Sequence, residues 1–163
     1  MAGVTCGVCR TEVDFFQETC GMCDNFPTLF FQYNSQPNTK PVELITIKEG
    51  LLYHLEDPDE SPEWNSIWHS HLVGVEIGLG QLEEARKHAE EFLRLQKQLE
   101  PKGIGEINAT AILGLLCTKE NRFEEAQSLF KSAMWMSRKI EYSVGEIKCS
   151  NFLNDARYKA SEV

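Results

Sequence analysis

From residue 41 onward, apolar residues recur every three or four positions, the period that turns one face of an α-helix toward a core. Leu44, Ile47, Leu51, Leu52 and Leu55 form the first such stripe and predict a helix over about 41–56, with Pro41 in its first turn. The acidic turn Asp57-Pro58-Asp59-Glu60 ends it. Ser61, Pro62 and Glu63 then read as the N-cap, first residue and first-turn acid of a second helix over about 62–79, which breaks at Gly80. Leu82, Ala85, Ala89, Phe92 and Leu99 mark a third helix over 82–99, closed by Glu100-Pro101-Lys102-Gly103. Two further amphipathic helices are expected over about 103–119 and 122–139, and a last one over about 143–159. Short polar links between helices make neighbours antiparallel, so the predicted fold class is mostly α, built from helix pairs.

In register, the helices show an internal period. Ile67, Ile107 and Ile147 stand forty apart, as do Val73, Leu113 and Leu153, and Gly74 matches Gly114. The second copy carries Leu113-Gly114, then Asn121 in a turn, Phe123, Ala126 separated by three residues from Phe130, and Ala133; the first carries Val73-Gly74, Gly80, Leu82 and the Ala85, Ala89 pair. This pattern resembles the tetratricopeptide repeat, with an L-G in helix A and A-x3-F in helix B. The resemblance covers roughly residues 62–160 and implies a short α-solenoid, in which small residues let helices approach and large ones interlock with the next repeat. There are departures. Ser70 and Thr110 fill the first aromatic slot, Ile77 and Cys117 the later Tyr slot, and the period exceeds the usual 34 or so. The third copy has Asn154 and Arg157 where glycine and tyrosine would stand, which suits a closing helix.

Residues 1–33 differ in kind. Cys6-Gly7-Val8-Cys9 and Cys20-Gly21-Met22-Cys23 are both C-G-x-C. Each C-x2-C lets two sulfurs converge on one ion, and four thiolates make the closed tetrahedral site of structural zinc. The spacing resembles zinc ribbons and related knuckle pairs, so Cys6, Cys9, Cys20 and Cys23 are the expected ligands of one structural Zn²⁺. A redox role for either pair lacks a βαβ setting. Phe15, Phe16, Phe26, Phe30, Phe31 and Tyr33 crowd the same segment and are expected to pack on the helical body or to offer a docking patch. Residues 34–40, polar and proline-containing, read as a linker to a helical domain over 41–163.

Composition narrows the function. The formal net charge is −9, which disfavours direct nucleic-acid binding without a segregated basic patch, and no run of Lys and Arg supplies one. No apolar run approaches the roughly 20 residues needed to cross a bilayer. The N-terminus shows neither a secretory pattern nor a myristoylation glycine, so a cytoplasmic or nuclear place is expected.

No catalytic constellation emerges. His69 and His71 are two apart and point to different helix faces, and the Glu83-Glu84, Glu90-Glu91 and Glu124-Glu125 pairs read as solvated surface. Cys117 and Cys149 read as small core residues, and Trp64, Trp135 and Met136 mostly as core. The chain is expected not to be an enzyme. The repeat resemblance instead implies a groove lined by helix A residues: Trp68, His71 and Val75 in the first copy, Asn108, Ala111 and Leu115 in the second, Lys148 and Asn151 in the third. His71 and Val75 stand where a chaperone-carboxylate clamp needs Lys and Asn, so that binding mode is not expected. The expectation is an interaction adaptor that binds a partner protein or peptide, with Trp68 either exposed as one contact or packed against the first helix or the zinc module. Alternatives are a zinc-ribbon subunit of a transcription or RNA-processing complex, or a ubiquitin-pathway module using the aromatics of residues 26–33. An uncovered end of so short a stack leaves self-association open.

Overall fold

The computed structural model describes residues 4–5, 12–13 and 41–162. Among them the chain forms two short strands, β1 (Val4–Thr5) and β2 (Glu12–Val13), and six helices: α1 (Pro41–Leu55), α2 (Pro62–Gly78), α3 (Leu82–Leu99), α4 (Ile104–Lys119), α5 (Phe123–Lys139) and α6 (Ser143–Ser161). The strands pair antiparallel, Val4 opposite Val13 and Thr5 opposite Glu12. Cys6, Cys9, Cys20 and Cys23, the N-terminal aromatics and the 34–40 linker lie outside the described residues.

Local chemistry explains the helix ends. The Ser61 side chain accepts a hydrogen bond from the Trp64 backbone N–H (3.3 Å) and Pro62 opens the first turn, so α2 starts with an orphan donor satisfied. Three links share one device. Gly80, Asn121 and Glu141 adopt φ of 75°, 60° and 58°, a left-handed conformation that reverses the chain after α2, α4 and α5. The next residue donates its N–H back to a carbonyl five positions earlier: Gln81 to Glu76, Arg122 to Cys117 and Tyr142 to Ser137, each at 2.8 Å. Those same residues, Gln81, Arg122 and Tyr142, accept the first hydrogen bond of the following helix. A three-residue link therefore stops one helix and starts the next. Asn tolerates this backbone well, whereas Glu141 adopts it at a cost of about 1 kcal/mol.

The described chain falls into two compact units, Met1–His88 and Ala89–Val163, with the division inside α3. In the first, α1 packs on α2 around Leu44, Leu51, Trp68, Leu72 and Val75, with Ile47, Leu52, Leu55, Ile67 and Leu79 at the edge. In the second, α5 packs against both α4 and α6. Its centre is Phe130, fully buried among Cys117, Ala126, Leu153 and Ala156, with the Phe152 ring 5.6 Å away. A Phe buried so completely is worth about 2–3 kcal/mol of transfer free energy. Gly114 makes the close approach possible: a Cβ there would stand 2.6 Å from Phe130 Cε1. That is the physical reason for the L-G and A-x3-F pairing read in the sequence.

Candidate functional site

Within the first unit, Trp68 is only 6% exposed. Its ring is stacked between His54 of α1 (4.6 Å between centroids) and Trp64 one turn earlier (5.2 Å), and its Nε1–H donates to Glu60 Oε2 at 3.1 Å. Trp68 thus packs against the first helix and is not the exposed contact, because the partner for its face is α1. Val75 lies in the same core and His71 is 1% exposed. Among the described residues neither ring nitrogen of His71 has a hydrogen-bond partner, and burial lowers its pKa to about 4.

Within the second unit, Asn108 and Ala111 are buried, and the Asn108 side-chain oxygen has no partner. Leu115 is half-buried against the Phe130 cluster, Lys148 is half-buried, and Asn151 is exposed. Of the eight residues assigned to a groove, then, five are buried, Leu115 and Asn151 reach solvent, and half-buried Lys148 has its ammonium nitrogen enclosed. Trp64 and Trp135 depart from the core role expected of them, with 44% and 54% exposure, while Met136 is buried.

Sequence reasoning missed a polar network in the first unit. Glu76 is 1% exposed, and Lys48 of α1 approaches it at 2.9 Å while also donating to Gln81 at 2.6 Å. His88 of α3 places Nε2 3.5 Å from the same Glu76 oxygen, and its Nδ1 lies 2.7 Å from Nδ1 of His69. That contact holds when one imidazole donates and the other accepts. Burial raises the Glu76 pKa and Lys48 opposes it; burial, then His69, Lys48 and Lys87, bring His88 down to about 4. A carboxylate inside the apolar run Leu72–Leu79 was the available signal, since a charge in such a place needs a partner.

Chemically the network joins α1, α2 and α3 but offers no nucleophile. Among the described residues no cluster of three or more His, Cys, Asp or Glu could hold a metal ion, and Cys117 and Cys149 are buried thiols, with burial pushing Cys149 up to about 12. Among them, too, no helix is long and apolar enough to cross a membrane.

Comparison with curated proteins and with solved structures gives no match. The family model for the tetratricopeptide repeat matches residues 65–139, from the middle of the first turns of α2 to the end of α5. With the paired helices, the shared left-handed links and the glycine–phenylalanine contact, that match supports a tetratricopeptide-like helical repeat over this stretch of the chain.

Proposed function

We propose that the chain is a non-enzymatic interaction adaptor, in which the helical repeats capture a partner protein or peptide and the N-terminal cysteines hold one structural zinc ion. The repeat match at residues 65–139 carries this reading, because repeats of this kind generally mediate protein–protein contact. Asn108 is a helix A residue whose buried side-chain oxygen has no hydrogen-bond partner among the described residues, an unmet acceptor that a peptide donor reaches only if the helices around it shift. Asn151 of α6 supplies an exposed polar group in the third copy.

For the zinc, the support is the donor set. Cys6, Cys9, Cys20 and Cys23 are soft thiolates in two C-x2-C pairs, and the paired strands β1 and β2 flank the first pair in sequence. Bound there, the metal would supply folding free energy and no catalytic position.

The adaptor reading is tested by affinity capture from native extract, followed by titration of the captured partner against Asn108→Ala and Asn151→Ala. At least one substitution should weaken binding by about tenfold; unchanged affinity in both, with helicity intact, would sink the groove. Zinc content by mass spectrometry should be one per chain and fall when Cys6 and Cys9 are changed to Ser.

A further inference from the structure

The outward face of α5 carries an arrangement that the groove does not use. Trp135 is 54% exposed. Lys131 lies one turn before it and Lys139 one turn after it, so all three share one helix face. The Lys139 ammonium stands 5.4 Å from the centre of the Trp135 ring. Ser128 and Ser132, both exposed, are the neighbours on that face toward the helix start, and Ile140, 41% exposed, follows its end. From Ala126 to Ile140 there are three cations, Lys131, Arg138 and Lys139, and no carboxylate. From α6, Glu146 pairs with Arg138 at 2.5 Å. Lys131 and Lys139 stand on either side of the indole.

This patch is the reverse of the molecule that bears it. The chain has 25 acidic and 16 basic side chains, and a random stretch of its helical surface would be negative. The same helix has Glu124 and Glu125 in its first turn, so the switch of sign occurs within α5. An exposed tryptophan between two lysines pairs a desolvatable flat surface with positive charge, the combination that recurs at binding hot spots.

We infer that the α5 face centred on Trp135, Lys131 and Lys139 is a docking surface for an acidic peptide segment of a partner protein, with an apolar side chain of that segment on the indole. The occupant follows from charge complementarity: carboxylates spaced along an extended or helical segment can meet both ammonium groups. A nucleic acid fits less well, since two or three phosphate contacts give only weak binding and the exposed indole asks for an apolar side chain. An anionic bilayer fits less well because one indole with one flanking isoleucine buries little area in a membrane interface. The inference shares with the proposed function only the premise that the chain binds protein, and it concerns a different surface.

Fluorescence anisotropy tests it with a short fluorescein-labelled peptide of Glu and Asp interrupted by two leucines. The full chain should bind it saturably, with affinity that falls as salt screens the contact. Trp135→Ala and Lys131→Glu/Lys139→Glu should each weaken binding by about tenfold or more, while Lys119→Glu, on α4, should not. Both patch variants are surface changes, and far-ultraviolet circular dichroism confirms that they fold. Equal binding by the wild type and both patch variants would overturn the inference. So would patch-dependent binding of phosphatidylserine vesicles or an oligonucleotide in place of the peptide, or patch-dependent self-association in sedimentation. Asn108→Ala should leave peptide binding unchanged, so failure here and failure of the groove are separate results.

Discussion

Adding one methyl group at Gly114 tests the packing that defines the repeat. In the interior of a helix, replacing Gly by Ala is worth roughly 1 kcal/mol of stability when the site is open. Gly50 in α1 is such a site, with nothing within 4 Å of a Cβ built there, so Gly50→Ala should stabilise the chain by about that amount. At Gly114 the same Cβ would stand 2.6 Å from Phe130 Cε1 and 2.9 Å from both Cδ1 and Cζ. The ring is fully buried and lies against Phe152, so it cannot swing out to solvent. Overpacking of this kind costs about 1–3 kcal/mol, which outweighs the propensity gain and leaves Gly114→Ala destabilising by about 1 kcal/mol. The two alanine variants should therefore differ by roughly 2 kcal/mol despite identical chemistry. Urea unfolding followed by circular dichroism reads both midpoints, compared at constant slope. Phe130→Leu should relieve the clash, so the double variant should be less destabilised than the sum of the single changes. If Gly114→Ala were as stable as Gly50→Ala, the claim that this glycine exists to admit Phe130 would be wrong.

The remaining predictions concern the buried polar groups. Lys48→Met strands the Glu76 carboxylate, which is 1% exposed, and should cost about 3 kcal/mol; Lys48→Met/Glu76→Leu should unfold at a higher urea midpoint than the single variant. His71 and His88 both have folded pKa values lowered to about 4 from 6.5, so the stability they confer is complete above the unfolded value and is lost as pH falls from 6.5 toward 4. His71→Leu removes two unpartnered buried nitrogens and should raise stability near neutral pH by about 1–2 kcal/mol. It should also shrink the acid-induced drop measured between about pH 7 and about pH 5, and an undiminished drop would show that His71 is not one of its sources.

The helix pattern was legible because it is written in interactions that close within a turn or two. Ser61-Pro62 as a start, Gly80 and Asn121 as left-handed stops, and the Leu113-Gly114 to Ala126/Phe130 pairing all follow from backbone sterics and spacing, and the helices begin and end within two residues of the expected places. Glu141 was not legible as a third such stop, because nothing in its side chain favours that backbone.

Which side chains face outward is another matter. In α2, every residue from Ser70 to Ile77 is buried, so periodicity names no outward face and could not say that Trp68 turns inward while Trp64 stays half open. Lys48 and Glu76 are 28 positions apart, and His69 and His88 are 19 apart, so only the packing of α1, α2 and α3 brings them together. Trp135 shows the same division. Its sequence setting between Lys131 and Lys139 could be read at once, but its exposure depends on which sides of α5 are covered by α4 and α6. Local chemistry in the sequence determined where this chain is helical and where it turns. The tertiary structure decided which charges are buried in pairs and which tryptophan meets solvent, because burial is a property of neighbours that lie far away along the chain.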